Sequence, residues 1–456
     1  MPEKSVRLAA GPGFYGDSWR PVRASIERGN VQYVCSDHLA ELTLAILQKN
    51  RQRDPNLGYT QDLVPMLADL LPLAVQRGVR FVLNAGGLNP IAAREALLSL
   101  LRKFGLKLKV GVVLGDAVLE RLDDLQAAGA SLAHMDTGAD IATVRERLLF
   151  ASAYLGARPL VEALDAGADI VLTGRVADAA LFLAPIVHEL GWCWDDWDRL
   201  AQGIVVGHLL ECSAQASGGN FGGDWRSIPD MAHIGYPIAE VWESGEAVIS
   251  KAPGTGGRVS FDTLREQLLY EVHDPAHYLT PDVDVDMTTL HMQETGPDEV
   301  RITGASGRAA PQTLKIVAGY EDGYMGQAII GYAWPDALAK AQLAAQIITQ
   351  QMAETGLKSE ETLIEYQGFN SIHGPLADAT HVDDLNEVYL RIAVRCTDRR
   401  EAAKLGRLVP PLGLSGPPFI GGVGGMIEPR ALLGIWPTLA PRDIIEEYVR
   451  VSVEEA

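Results

Sequence analysis

The stretch RGVRFVLNAGGLNPIAARE, residues 77–95, has the pattern of a strand, a tight turn and a helix. Residues 79–83 are nearly all apolar, with β-branched and aromatic side chains, which favours a strand buried on both faces. The glycines of NAGG permit positive φ, and Asn89 and Pro90 supply an N-cap followed by proline at the first helical position. Either the turn offers backbone N–H groups to an anion or carbonyl, or its glycines only let the helix pack on the sheet.

Length and composition describe a folded chain of two or more domains, with 456 residues and 47% apolar content. The formal net charge of −20 argues against nucleic acid or an anionic membrane as the main partner. The N-terminus lacks the apolar core of a signal peptide, and no apolar run reaches the length of a membrane span. We therefore expect a cytoplasmic protein. The four cysteines are scattered without a CxxC pair, so neither a disulfide framework nor a cysteine zinc site is predicted.

The strand-to-turn-to-helix pattern occurs four more times in the first half of the chain. Strands are predicted at 6–10, 32–35, 107–114 and 168–172, each ending in a polar or glycine-rich turn, and residues 140–155 are expected to be helical. Strands that alternate with helices favour a parallel sheet with right-handed crossovers. We expect an α/β domain over residues 1–223 with a doubly wound, mostly parallel, Rossmann-like sheet. The dinucleotide and nucleotide fingerprints are absent, so neither NAD nor ATP is predicted.

Polar side chains follow the carboxyl ends of these predicted strands. Ligands of open parallel sheets bind in the crevice outside those ends, so we expect the side chains to line one site. Arg175 could hold a carboxylate in a bidentate grip, or could pair with Asp178 and only close its own loop. The turn also offers Gly86 and Gly87 as backbone donors. The candidate side chains are Asp17, Asp37, Asn84, Asn89, Asp116, Thr173, Arg175 and Asp178.

A second candidate group lies on the predicted helix 200–214. His208 and Glu211 are three residues apart, so their side chains share one helix face. The spacing permits a metal pair, a histidine oriented by a carboxylate, or an ordinary packing pair. No metal ligand set is assigned, no cofactor is required by the sequence, and a divalent metal is left open.

From residue 224 onward the pattern changes to strands with alternating polarity, and we expect an α+β domain over residues 224–456. The glycine-rich loop 251–258 is basic and includes Lys251. It fits either an anion-binding loop or a plain structural turn. The Pro/Gly-rich segment 410–425 is predicted to be irregular. Together with the two-domain organisation, this segment favours a homo-oligomer.

Several stretches, taken in order, resemble the acyclic terpene utilisation (AtuA-like) family. They are GDS after the first strand, NAGGLNP, TGRVADAALFLAP, GHLLECSAQASGGNF, KAPGTGG and EQLLYEVHDPAHYLTPDV. The resemblance implies a role in the breakdown of branched terpenoid acids or their acyl-CoA thioesters. It implies no particular reaction, so no catalytic residue is carried over. Candidates that lie inside these stretches are Asn84, Gly86, Asn89, Arg175, Asp178, His208, Glu211 and Lys251.

These features predict an enzyme that acts on a small carboxylic acid or acyl-CoA by lyase or hydratase chemistry. Addition or removal of water beside a carbonyl needs an acid/base group and donors for an enolate-like oxygen. The candidate catalytic residues are His208, Glu211, Asp178 and Asp37, and the candidate substrate-binding residues are Asn84, Gly86, Gly87, Asn89, Thr173, Arg175 and Lys251. A hydrolase of a related ester, amide or thioester is the rival, although no G-x-S-x-G elbow is present. A non-catalytic acyl-CoA-binding partner of a pathway carboxylase is the alternative from another class.

Overall fold

The computed structural model describes residues 3–423 and 427–456, which form two compact units. The first unit contains the described residues up to Gly319 together with Ile435–Ala456, and the second contains Tyr320–Gly434. The boundary predicted between residues 223 and 224 stays a prediction. Within the described ranges, no helix has the length and apolar character needed to cross a membrane.

The strands of the described chain are numbered in sequence order. They are β1 Ser5–Ala10, β2 Tyr33–Ser36, β3 Arg80–Leu83, β4 Lys109–Leu114, β5 Leu148–Ala153, β6 Ile170–Thr173, β7 Pro237–Trp242, β8 Ala247–Lys251, β9 Tyr278–Leu279, β10 Asp284–Asp286, β11 His291–Gly296, β12 Glu299–Thr303, β13 Ser306–Arg308, β14 Thr313–Ala333, β15 Glu361–Gln367, β16 Glu387–Cys396, β17 Ile420–Val423, β18 Arg430–Pro441 and β19 Arg450–Glu455.

The α-helices are numbered in the same way. They are α1 Arg20–Arg28, α2 Glu41–Arg53, α3 Leu63–Arg77, α4 Pro90–Phe104, α5 Leu122–Ala127, α6 Arg158–Asp165, α7 Ala180–Leu190, α8 Trp197–Glu211, α9 Phe261–Leu269, α10 Ala337–Glu354, α11 Arg399–Leu408, α12 Leu412–Ser415 and α13 Arg442–Glu446.

One large mixed sheet organises the first unit, in the order β11-β12-β8-β7-β1-β2-β3-β6-β4-β19. The strands β1, β2, β3, β6 and β4 are parallel, whereas β7 and β19 join them antiparallel at the two sides. The predicted parallel sheet is therefore present inside a mixed α/β sheet. The doubly wound, Rossmann-like arrangement is not confirmed, because all the parallel partners of β1 lie on one side of it and antiparallel β7 occupies the other.

The parallel strands are buried on both faces because helices cover them. All residues of β2 and β6 are buried, and β3 is buried except at its first residue. Such strands need an unbroken apolar sequence, which is the pattern that predicted them. Helix α8 is also buried, from Leu200 to Glu211. Its Gly207 allows this close packing, since a Cβ there would lie 2.7 Å from the carbonyl oxygen of Ala179.

The helix predicted over residues 140–155 is wrong. Short 3₁₀ turns at Ile141–Thr143 and Arg145–Arg147 lead into strand β5, which pairs with β14. The strand residues LLFASA suit either structure by local propensity, and hydrogen bonds to distant strands decide between them. One such bond runs from the backbone N–H of Tyr154 to the carbonyl of Lys315, at 2.9 Å.

The second unit is built on an antiparallel sheet of β15, β16, the later part of β14 and β17, which agrees with the antiparallel or mixed pairing predicted for this part of the chain. Helix α10 buries Ala341, Ala344 and Ile348 in the core of this unit. The segment predicted to be irregular contains α12 and β17, so it has more regular structure than expected, and residues 424–425 lie outside the described ones.

Candidate active site

A cavity of about 530 Å³ lies in the first unit, beside the carboxyl ends of β1, β2 and β6. These ends meet at one edge because the three strands are parallel, as the sequence pattern predicted. Among the described residues, the wall carries six carboxyl groups and two cations. The carboxyl groups belong to Asp17, Asp37, Glu41, Asp178, Glu211 and Glu271, and the cations are Arg175 and Lys315.

Asp37 follows directly after strand β2 and is almost completely buried. The side-chain amide of Asn84, at the end of β3, donates to Asp37 Oδ1, and Asn84 Oδ1 accepts from the backbone N–H of His38 at 2.6 Å. Asn84 is thus fixed on both sides and fully buried, behind Asp37. In this geometry Asn84 supports a carboxyl group in the cavity wall. Its role as a substrate ligand stays a prediction.

Arg175 follows β6 and is 3% exposed. Its Nη2 lies 2.7 Å from Asp178 Oδ1. Its Nη1 donates to the carbonyl of Leu39 and lies 3.9 Å from Asp37 Oδ1. The guanidinium also stacks over the ring of Tyr154, with its carbon 4.1 Å from the ring centroid. Arg175 therefore pairs with Asp178, as one of the two interpretations expected, and it also lines the cavity. Its grip on a ligand carboxylate stays a prediction. Burial favours the neutral guanidine, but Asp178, Tyr154 and Asp37 outweigh it and raise the Arg175 pKa.

Glu211 ends helix α8 and pairs with His208, one turn earlier on the same face. His208 Nδ1 lies 2.9 Å from Glu211 Oε1, and His208 Nε2 lies 3.2 Å from the carbonyl oxygen of Leu268. A carbonyl can only accept, so Nε2 carries a proton and a single further proton is shared between Nδ1 and Glu211. Glu211 Oε2 finds no hydrogen-bond partner among the described residues, and Glu211 lines the cavity.

Glu211 and Asp37, two buried carboxyl groups of the cavity, have raised pKa values. Burial raises the pKa of Glu211 to about 7, with His208 opposing the shift and Asp178 adding to it. Burial and then Asp178 raise the pKa of Asp37 well above its usual range, against the attraction of Arg175. Burial lowers the pKa of His208, but Glu211 outweighs it, so the pKa is raised overall. A group with a pKa near 7 can both give and take a proton at neutral pH.

Glu41, Tyr154 and Lys315 are among the cavity side chains that the sequence did not predict, as is Glu271. The Tyr154 hydroxyl donates to Glu41 Oε1 at 2.7 Å, and Lys315 Nζ lies 3.5 Å from the same oxygen. Burial alone would raise the pKa of Glu41, but the bond from Tyr154 and the charges of Arg175 and Lys315 lower it. No local motif marks these residues, because they come from α2, the end of β5 and β14, far apart in sequence.

Three predicted site residues in the turn after β3, Gly86, Gly87 and Asn89, lie outside the cavity wall. They pack against neighbouring segments of the chain instead. A Cβ on Gly86 would lie 2.6 Å from the carbonyl oxygen of Thr173, and one on Gly87 would lie 2.3 Å from Leu47 Cδ1. The Asn89 side chain accepts from the N–H of Ala92, as an N-cap, and donates to the carbonyls of Pro55 and Leu57. These contacts favour packing as the reason for both glycines, one of the two alternatives left open by the sequence.

Thr173, Lys251 and Asp116 also stand apart from the cavity lining. Thr173 is fully buried at the end of β6. Lys251 Nζ donates to the carbonyl of Thr255 and pairs with Asp298 at 3.0 Å, so it fastens its own loop. Asp116 accepts from the backbone N–H of Arg175 at 2.9 Å and thereby holds the turn that places Arg175. Burial raises the Asp116 pKa to about 6.

The His208–Glu211 pair is a poor fit for a metal. Both ring nitrogens of His208 are already engaged, with Glu211 and with the Leu268 carbonyl, so neither has a lone pair directed at the cavity. Across residues 3–423 and 427–456, no cluster of three or more His, Cys, Asp or Glu side chains has the arrangement of a metal site.

Ser36, His38 and Asp62 form a second buried group beside the cavity. Ser36 Oγ donates to the Pro12 carbonyl at 2.8 Å and lies 2.9 Å from His38 Nε2. Its single proton is already given to Pro12, so His38 Nε2 must be the donor to Ser36. His38 Nδ1 is 3.8 Å from Asp62 Oδ1, too far for a hydrogen bond. This tautomer and the complete burial of Ser36 are the reverse of what an activated serine nucleophile needs.

The fold and the cavity define a mixed α/β protein with an acid-lined cavity at the carboxyl edge of its parallel strands. Residues 6–451 match the family described as Acyclic terpene utilisation family protein AtuA, so the chain belongs to that family, as its motifs predicted. Membership places the protein in acyclic terpene utilisation. Neither the curated proteins nor the solved structures that were compared include a match to this chain.

Proposed function

We propose that the protein is an acid/base enzyme of the hydratase or lyase type, acting on a branched unsaturated carboxylic acid or its thioester. The observation that carries the proposal is the Glu211–His208 pair, in which one proton is shared. Glu211 lines the cavity, and its second carboxyl oxygen has no hydrogen-bond partner within the described part of the chain. A carboxyl group with a pKa of about 7 is suited to proton transfer at neutral pH.

In this proposal different side chains have different roles in the addition of water across a carbon–carbon double bond. Asp178 removes a proton from water, whose oxygen bonds to the β-carbon of the substrate, and protonated Glu211 gives a proton to the α-carbon. His208 is a positioning residue, since it is 1% exposed and touches the reaction only through Glu211. Arg175 and Lys315 supply positive charge for the substrate carboxylate or the enolate-like oxygen that forms on it.

The cavity favours this chemistry over the rival hydrolase. The Ser36 hydroxyl is buried and donates its hydrogen bond to the carbonyl of Pro12, so it is a poor nucleophile. The thiol of Cys212 lines the cavity, but burial and the neighbouring Glu211 raise its pKa, which disfavours a thiolate nucleophile. Hydrolysis would then need direct attack by water. The acidic wall also repels phosphate, which favours the acyl end of a thioester over its phosphate-bearing end inside the cavity, whereas a free acid would place its carboxylate beside Arg175 or Lys315.

The test is incubation with branched α,β-unsaturated acids and their coenzyme A thioesters in ¹⁸O-labelled water, with products analysed by mass spectrometry. We expect the product to gain one labelled water at the β-carbon. Glu211→Gln keeps the shape of the protonated side chain but cannot transfer the proton, so turnover should fall by roughly a hundredfold or more. Glu162→Gln, on the exposed face of α6, is the matched control and should keep full turnover.

Each alternative gives a different result in the same experiment. Release of free coenzyme A with label in the carboxylate would support the hydrolase and contradict the hydratase. Tight binding of a thioester without any product would support a non-catalytic acyl-CoA-binding partner. Equal turnover of Glu211→Gln and the unaltered protein would remove Glu211 from the mechanism.

A further inference from the structure

A second cavity, of about 330 Å³, adjoins the acid-lined one in the first unit. Its wall is mainly apolar, with leucine, proline, methionine and alanine side chains. Several large apolar residues on this wall are accessible to solvent, since Leu279 is 62% exposed, Met135 51% and Leu439 43%. Exposed apolar side chains gathered around one cavity indicate a surface that an apolar group of a ligand covers.

The two cavities lie side by side, because Tyr154, Asp178 and Lys315 line both of them. At this junction Asp178 pairs with Arg175 on the side of the first cavity, and Lys315 Nζ lies 4.8 Å from the centre of the Tyr154 ring. A ligand could therefore place a polar end beside the carboxyl groups and an apolar end among Ala177, Leu314 and Leu439. Ligand sites are typically about 300 to 1,000 Å³ and mostly apolar, with few polar groups.

The geometry points to the second cavity as the subsite for the aliphatic tail of the substrate, with the reacting carboxyl end in the first cavity. This inference rests on the proposed function for the identity of the reacting end. The contrast between the two walls supports it, since one is rich in carboxyl groups and the other in apolar side chains. A tail of branched hydrocarbon gains from leaving water in proportion to the apolar area that it buries.

Isothermal titration with the saturated acids acetate, butanoate, hexanoate and octanoate tests the subsite separately from the chemistry. Saturated acids have no double bond to hydrate, so their binding does not depend on whether the proposed reaction occurs. We expect the affinity to rise roughly threefold to fourfold for each methylene that enters the cavity. An affinity independent of tail length would overturn the inference while leaving the acid/base proposal to its own assay.

Two variants locate the binding of the tail. Leu439→Asp places a charge on the wall at an exposed position, and Ala177→Phe fills space at a half-buried one. Either change should flatten the dependence on tail length while acetate binds as before. Leu376→Asp is the matched control, since Leu376 is 87% exposed and lies in the second unit. A tail-length dependence that persists in both cavity variants would place the tail elsewhere and overturn the assignment.

Discussion

Two turns at the same edge of the sheet share the order of strand, polar turn and helix but have different structural roles. The turn after β6 places Arg175 and Asp178 in the wall of the acid-lined cavity. The turn after β3 is closed by contacts of Gly86, Gly87 and Asn89 with the chain around them. Both follow a buried parallel strand, and both carry glycine and polar residues ahead of a helix.

The difference lies in what covers each turn. Residues 55–59 lie over the turn after β3, where Leu88 N–H donates to the Gly58 carbonyl at 2.8 Å and Asn89 binds two further carbonyls. The turn after β6 faces the cavity, with Tyr154 stacked on Arg175. A polar turn at a strand end therefore becomes a site only where the rest of the fold leaves it uncovered.

Removal of the buried cation should have the largest effect on stability. Arg175→Met leaves Asp37 and Asp178 in the cavity wall without their cationic partner, and breaking such a buried pair costs roughly 3–5 kcal/mol. Urea denaturation measures the loss. Arg265→Met removes an exposed pair with Asp262 and should change stability by only about 0.5 kcal/mol. Equal losses in the two variants would show that Arg175 adds nothing beyond a surface ion pair.

The second largest loss of stability should come from a substitution in the turn after β3. Gly86→Ala introduces a Cβ 2.6 Å from a backbone oxygen that cannot move freely, so we expect a loss of about 1–3 kcal/mol or more. Thermal unfolding measures it. Gly413→Ala is the control, because a Cβ there meets no atom within 4 Å. A neutral Gly86→Ala would mean that the turn is looser than its contacts indicate.

A smaller effect is expected at the N-cap of α4. Asn89→Ala removes the cap and two donors to neighbouring carbonyls, which should cost about 1–2 kcal/mol and leave ligand binding unchanged. Thermal unfolding and titration with a saturated acid measure the two properties. Asp196→Ala, at the N-cap of α8, shows the cost of a lost cap elsewhere. Loss of acid binding in Asn89→Ala alone would return this turn to the site.

The smallest effect is a change in the pH dependence of stability at the cavity. The folded protein holds the Glu211 proton up to about pH 7, while the unfolded chain releases it near about pH 4. Protonated Glu211 is therefore favoured by folding, and the unaltered protein loses stability as pH rises between those values. Glu211→Gln does not titrate, so its unfolding temperature should fall less over that range.

Burial raises the pKa values of Asp116 and Asp282 to about 6. Both groups titrate in the variant and in the unaltered protein, so their contributions cancel when the two pH profiles are subtracted. Unfolding temperatures measured in parallel across the range give the difference. Identical pH profiles for Glu211→Gln and the unaltered protein would contradict the raised pKa of Glu211.

Local sequence was a good guide to the strands and to the edge of the sheet where the acid-lined cavity lies. The apolar runs predicted β1, β2, β3, β4 and β6, and the polar residues after them included Asp37, Arg175 and Asp178 of the cavity. The spacing of His208 and Glu211 predicted their contact, because helix geometry fixes it. It did not predict which of the two would face the cavity, since that depends on how α8 packs.

The sequence by itself determined the family, the parallel strands and the set of polar turns, because these depend on patterns within a few residues. Only the tertiary structure decided which turns are open, brought Glu41, Tyr154 and Lys315 to the cavity, and made residues 148–153 a strand. Those features depend on contacts between residues distant in the chain, and burial at those contacts also shifts the carboxyl pKa values. Long-range packing, which no local pattern encodes, assembled the acid-lined cavity.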